Sequence, residues 1–443
     1  MKRFVLFVFI IATLVLSACG GPAATTAPPA AEPTKAEQAQ PTAGEAIQLT
    51  FMAWGDPQEL AVWQAIADDF NKTNPKITVK MDVSDWDSYW TKLNTLFAGK
   101  TPPDVFAMDA PLFLDWQSRG VLLNLQPYVD DSPGFLDSLY PQPLEGYKLP
   151  DGYYGLPRDF QTIVMFYNKD MFDEAGVSYP KPEWTMNEFR EIAKKLTKDK
   201  NGDGKTDQYG FSADLWDMEL FWSEAIWGFG GDIINADRTK TLVGEPQARE
   251  AWHFIHDMMF TDKSMPDTIA AGEYGYDLFQ AGVVAMWPMG HWAVPGYSEV
   301  KFKWDVAPMP KGPVSQATSV NSAGFVVAKD TKYPGAAWMF VKFALSPEGQ
   351  TRLTELGLAI PMQKAIAESP TFLERKVGDM AINQKIFLDS LAFARVKPIF
   401  KGYTLWGSAV GDGMASIWTG EAELDPTLDE AVKAADAVLV EQK

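Results

Sequence analysis

Between Ile47 and Met108 the spacing of apolar residues switches repeatedly between the period of a strand and that of a helix, and this restricts the chain to interleaved strands and helices. Ile47 to Trp54 reads as a strand that ends at Gly55-Asp56-Pro57. Leu60, Trp63, Ile66, Ala67 and Phe70 then recur at helical spacing up to the breaker Asn74-Pro75. Ile77, Val79, Met81 and Val83 alternate with polar residues, as in a half-buried strand. Ser84-Asp85 opens a second helix carrying Trp86, Tyr89 or Trp90, Leu93, Leu96 and Phe97 before Gly99. Asp104 to Met108 is a third strand, followed by Asp109-Ala110-Pro111 at the start of another helix. The pattern predicts an α/β fold with a largely parallel sheet.

Ligands of such sheets collect beyond the carboxyl ends of the strands, where loops and helix N-termini converge. Trp54 and Asp56, Asp85 and Trp86, and Met108 and Asp109 fall there, so each loop offers a carboxylate and two offer an indole. An Asp before a helix is also a favoured N-cap, a purely local role.

The chain has one cysteine, Cys19, directly after a leader with Lys2, Arg3 and an apolar run from Phe4 to Leu16 broken only by Thr13. The run is short for a membrane span, and Ser17 and Ala18 are the small residues of a signal-peptidase site. Leu16-Ser17-Ala18-Cys19 resembles the bacterial lipobox, which implies a signal peptide over 1–18 and a lipid on Cys19. A single cysteine excludes an intrachain disulfide. Of the 26 residues from Gly21 to Ala46, 18 are Ala, Pro or Thr, and none is a large apolar residue. Such a stretch cannot offset the entropy of ordering, so 19–46 is expected to be a disordered tether.

The remaining 397 residues suffice for two lobes. Formal charge is −19, and loss of a leader carrying Lys2 and Arg3 makes it more negative still. That balance disfavours nucleic acid and anionic headgroups as ligands. Aromatic residues make up 13% of the chain, with 16 Trp. An indole offers a flat apolar face and one donor, matching the C–H face and hydroxyl rim of a sugar, although most Trp residues of a globular chain fill its core.

A second passage begins at Tyr153-Tyr154-Gly155-Leu156-Pro157, with a strand-like Thr162 to Tyr167, a helix start at Asn168-Lys169-Asp170, and a capping box from Thr185 and Glu188. Gly155-Leu156-Pro157, Phe166-Tyr167-Asn168-Lys169-Asp170, Trp184-Thr185-Met186-Asn187-Glu188-Phe189, Gly228-Phe229-Gly230-Gly231 and Asn321-Ser322-Ala323-Gly324-Phe325, in that order, resemble the family 1 extracellular solute-binding proteins of ABC importers, related to maltose-binding protein. The resemblance runs from about residue 47 to the C-terminus and implies a two-lobed periplasmic-binding-protein fold of type II. It places residues 47–160 and 306–355 in the first lobe and 161–305 and 356–443 in the second, with crossings near Phe160 and near Asp305 to Pro310. It also implies a sugar, most simply an oligosaccharide, as ligand, with an ABC permease as partner to a monomeric, membrane-tethered receptor.

Trp54, Trp86, Trp216, Trp292 and Trp406 are the expected stacking residues, and Asp56, Asp85, Asp109, Arg158, Asp214 and Asn321 the expected partners of hydroxyls. Tyr209 to Ser212 reads as a strand before Asp214, with Glu219, Trp222 and Trp227 on the helix behind it, and Val283 to Trp287 as a strand leading to His291 and Trp292. Trp222 and Trp227, five apart, are expected to face different ways, one of them into the core. Asp199, Asn201, Asp203, Lys205 (through its carbonyl) and Asp207 have the spacing of an EF-hand loop, but Gly210 stands where the bidentate Glu belongs. A structural calcium ion is one reading of this loop and a polar turn the other. Gly204-Lys205-Thr206 mimics the end of a P-loop, but Asp199 holds the place of its first glycine. His253 and His256 lack a third ligand, and no nucleophile elbow or His-Glu-x-x-His is present, so no enzyme activity is expected. Competing readings are a secreted glycoside hydrolase using paired carboxylates, and a receptor for another solute such as a polyamine.

Overall fold

The structure, a computed structural model, describes residues 46–274 and 277–442. The leader, Cys19 and all of the tether except Ala46 lie outside the described residues. Strand β1 (Ile47–Trp54) pairs in parallel with β2 (Ile77–Ser84) and β3 (Val105–Asp109), joined through helices α1 (Pro57–Thr73) and α2 (Trp86–Ala98). Strand Ala323–Val327 returns antiparallel to β3, and the short strand Leu156–Pro157 closes this five-stranded sheet. In β1 every residue from Phe51 to Trp54 is buried, because helices cover both faces.

A second lobe is built on the antiparallel sheet of Val164–Asn168, Met286–Met289 and Trp304–Ala307. Between the two sheets lies a third, in which Thr318–Asn321 pairs antiparallel with Gln161–Thr162 and parallel with Ala394–Val396. The chain therefore changes sheet between Pro157 and Gln161 and again at Ser322. Trp304–Ala307 stays in the second-lobe sheet, so on the return the change of sheet comes after the Asp305–Pro310 segment. The connection beyond Pro310 is held on second-lobe partners, with Lys311 N–H donating to the Trp184 carbonyl at 2.8 Å and Val314 N–H to that of Gly228 at 3.0 Å. The switch at Ser322 is locked by Tyr147, whose buried hydroxyl lies 2.9 Å from the Ser322 carbonyl and 2.7 Å from that of Met108. Only glycine fits at 324, since a Cβ there would lie 2.5 Å from the Tyr147 ring.

Two expected strands differ. Tyr209 to Ser212 is extended but makes a single bridge, Tyr209 to Val284, and the strand expected from Val283 begins at Met286. Tyr209 and Ser212 N–H donate to the Val283 and Met286 carbonyls at 3.0 and 3.2 Å, but Phe211 N–H between them donates to the Ser264 carbonyl at 3.1 Å, so a neighbouring loop interrupts the ladder. The helix behind it starts at Trp222, with Glu219 in a preceding 3-10 turn, Met218–Leu220. The capping box forms as read: Glu188 N–H donates to Thr185 Oγ1 at 3.2 Å and Thr185 N–H to Glu188 Oε2 at 2.7 Å. Among the described residues no helix is long and apolar enough to cross a membrane.

Candidate functional site

A cavity of about 640 Å³ opens between the two lobes. On the first-lobe side, α2 places Trp86 and Trp90 one helical turn apart on one face, while Tyr89 turns into the core. Trp116, from the helix Phe113–Ser118, extends this wall, its ring 6.4 Å from that of Trp90 and covered by the Arg119 guanidinium at 4.2 Å. The second lobe contributes Trp216, Asp217, Met218 and Trp222, together with Tyr403 and Trp406 from the helix Tyr403–Gly411. A hollow of about 590 Å³ at Asp69, Pro347, Glu348, Thr351, Arg352 and Glu355 contains no aromatic ring.

Four of the expected residues line the interlobe cavity: Trp86, Asp109, Trp216 and Trp406. Trp216 is the outermost, 52% exposed, whereas Trp406 is fully buried and donates from Nε1 to Thr241 Oγ1 at 2.9 Å. Asn321 sits beside the floor, donating from Nδ2 to Asp109 Oδ1 at 2.9 Å. The other expected residues lie elsewhere. Trp54 is buried behind the wall, edge-on to Trp86 at 5.0 Å, because the last residue of a strand covered on both faces points into packing. Arg158 is buried between the rings of Trp54 and Trp63, at 5.0 and 4.4 Å, and donates to Glu59 at 2.9 Å. Asp56 and Asp85 cap α1 and α2, accepting from the N–H groups of Glu59 at 2.7 Å and Ser88 at 3.0 Å. Asp214 is not in the lining, and burial, with Asp277 and Asp217 nearby, pushes its carboxyl up to about 7. Trp292 folds back over Gly290, where any Cβ would strike its ring, and is likewise outside the lining. Trp227 turns away from the cavity and donates to Asp232 at 3.1 Å, while Trp222 faces it.

The floor carries a buried charge cluster. Lys397 is 2% exposed and reaches Asp217 at 2.9 Å and Glu219 at 3.3 Å. Burial alone would push its ammonium down, but Asp217, Glu219, Tyr403 and Asp109 hold it well above its ordinary value. Burial pushes the Glu219 carboxyl up against the pull of Lys397, with Asp217 and Asp109 adding to the rise. Asp109 is raised for the same reason, opposed by Lys397 and by the Asn321 bond. Several polar atoms around the cavity have no partner: the indole N–H groups of Trp90 and Trp222, Asn321 Oδ1 and Glu219 Oε2.

Trp90 was within reach of sequence reasoning, since it lies four residues beyond Trp86. Lys397 and Tyr403 carry no local signal. They arrive through the pairing of Ala394–Val396 with Thr318–Asn321, a contact between segments far apart in the chain.

In the 199–207 loop the oxygens are engaged locally: Asp199 accepts from the N–H groups of Gly202 and Gly204 at 2.7 and 2.8 Å, and Asp207 from that of Lys200 at 2.7 Å. Among the described residues no three His, Cys, Asp or Glu side chains converge on a metal position. His291 is fully buried with Nε2 2.8 Å from Gln384 Oε1, and His253 lies 3.3 Å from Asp425.

Residues 54–351 match the family described as bacterial extracellular solute-binding protein. A binding protein of Brucella abortus (strain 2308) is 27% identical over 377 residues, covering 84% of this chain and 88% of its own. The galactooligosaccharide-binding protein of Bacillus subtilis (strain 168) is 23% identical over 347 residues, 76% of each chain. Among solved structures, an ABC substrate-binding protein from Listeria monocytogenes in complex with cycloalternan superposes with a TM-score of 0.82 at 26% identity, covering 89% of this chain and 100% of that one. With a two-lobed body, a cavity between the lobes and a family match over most of its length, the chain belongs to the bacterial extracellular solute-binding proteins.

Proposed function

We propose that this protein captures a neutral oligosaccharide in the interlobe cavity and delivers it to the permease of an ABC importer. The observation that carries the reading is the cavity's chemistry. Indole side chains from both lobes line it, and two of them, Trp90 and Trp222, carry buried N–H donors that lack a protein partner. Apolar faces with unmet donors and acceptors between them suit a ring with a C–H face and a hydroxyl rim. Support comes from the relatives whose names specify galactooligosaccharide and maltotriose, and from the neighbour solved with cycloalternan. Contacts from both lobes are complete only when the lobes are shut, so a bound sugar shifts the population toward closure, which the permease can sense. The receptor acts as a monomer, held at the extracytoplasmic face of the membrane by a lipid on Cys19, and releases its ligand unaltered.

Isothermal titration against neutral oligosaccharides, with recovery of the glycan, tests the reading. Saturable binding with intact glycan supports it, whereas cleavage would turn the assignment to a hydrolase. Fatty-acid labelling abolished by Cys19→Ala tests the anchor. Calcium at the 199–207 loop is a separate proposal, resting on the spacing of Asp199, Asn201, Asp203, Lys205 and Asp207. A rise in Tm with added calcium that Asp203→Ala removes would support it, and an unchanged Tm would retire it.

A further inference from the structure

The cavity floor contains a cation of its own. Lys397 projects from the segment that follows the strand Ala394–Val396, its N–H donating to the Val320 carbonyl at 3.2 Å, so the side chain is rooted in the sheet between the lobes. Its ammonium touches Asp217 and Glu219 of the second lobe, lies 5.6 Å from the Tyr403 ring centroid, and faces the charge of Asp109 from the first. An aromatic face beside three carboxylates forms a good receptacle for an ammonium ion, since cation–π attraction and charge pairing act together where water is excluded. In this protein a tethered side chain already occupies that receptacle.

We propose that Lys397 is the specificity-determining residue of the cleft: by filling the cationic seat formed by Asp109, Asp217, Glu219 and Tyr403, it shuts out amine-bearing solutes and leaves a floor suited to neutral ligands. The inference builds on the neutral-sugar reading above and deepens it. An incoming ammonium would have to share these carboxylates with a buried like charge at close range, which is a repulsive element against the wrong ligand class. The other cations of the lining are engaged away from the floor or open to water: Arg119 covers Trp116 and donates to Asn94, and Lys401 is exposed. Removing the Lys397 side chain would leave buried carboxylates without their counter-charge, and a small external amine could then take its place.

The test is chemical rescue. In Lys397→Ala, ethylammonium chloride is expected to raise Tm saturably beyond an equal concentration of sodium chloride, with no such rise in the wild type. Spermidine, titrated calorimetrically, is expected to bind Lys397→Ala roughly tenfold or more tighter than the wild type, the scale of one lost charge contact. The variant Lys397→Ala/Asp217→Asn/Glu219→Gln, which keeps Asp109 as the seat's remaining carboxylate, is expected to show both responses reduced below those of Lys397→Ala. Should Lys397→Ala be too unstable to purify, Lys397→Ala/Asp217→Asn carries the same measurements with one buried carboxylate fewer. Equal amine responses in wild type and variant, or none in either, would overturn the proposal. The two readings fail separately. An amine gain in a protein that binds no neutral oligosaccharide removes only the sugar assignment, and sugar binding without any amine gain removes only this one.

Discussion

Trp54 and Arg158 show how a side chain can serve a binding site without touching it. Arg158 covers the Trp54 ring, and Trp54 stands edge-on to Trp86 and tilted to Trp90 at 5.5 Å, so the wall of the cleft rests on a buried cation and indole. Direct contact is proposed for Trp90 and Trp222, which line the cavity and whose N–H groups lack a protein partner. Trp90→Ala and Trp222→Ala are each expected to weaken oligosaccharide binding by about 1 to 3 kcal/mol in calorimetric titration, with unchanged far-UV circular dichroism. Glu224 sets a pH dependence of stability. It is buried, accepts from Ser319 N–H at 2.9 Å and lies 3.0 Å from Ser223 Oγ, and burial pushes its carboxyl from the ordinary 4.5 up to about 7. A raised acid binds more protons folded than unfolded between those values, so its contribution is full below about pH 4.5 and is lost as pH rises toward 7. Glu224→Gln, which can still accept from Ser319 and donate to Ser223, is expected to flatten the fall of Tm across that window.

At the scale of elements, Asp56 and Asp85 act where strand gives way to helix. Each accepts from the N–H three residues on, the geometry of an N-cap. Asp56→Ala and Asp85→Ala are therefore expected to lower Tm while leaving ligand affinity unchanged; an affinity loss without a Tm change would return them to the ligand. The elements of the first lobe were legible in the sequence from Ile47 to Met108 because α1, α2 and β2 carry periods of 3.6 and two, while β1 and β3, covered on both faces, show as short apolar runs ended by turn residues. The paired Thr185 and Glu188 were legible because a capping box is a local device. Extended segments such as Tyr209 to Ser212 were less so, since an apolar run does not state whether a ladder or a loop will meet its backbone. The cleft was half legible for the same reason. Trp86 and Asp109 sit at strand and helix ends that periodicity locates, whereas Lys397 and Tyr403 depend on a pairing between segments that no local pattern records.

Across the whole molecule, a polar contact joins the lobes at the cavity itself, where Asp115 Oδ1 accepts from Gly402 N–H at 2.6 Å at the start of the helix Tyr403–Gly411. Asp115 belongs to the helix Phe113–Ser118 beside β3, so this bond spans the cleft and favours the shut form. Asp115→Ala is expected to increase the radius of gyration of the ligand-free protein in small-angle X-ray scattering and to weaken oligosaccharide binding. An unchanged radius would show that the bond does not hold the lobes together. The central claim is that indoles from two lobes grip one saccharide, and it is tested most directly by the crystal structure of protein saturated with an oligosaccharide that binds in titration. The account predicts a sugar ring stacked on Trp90 or Trp222 with a hydroxyl at the indole N–H; a saccharide bound away from both rings would contradict it.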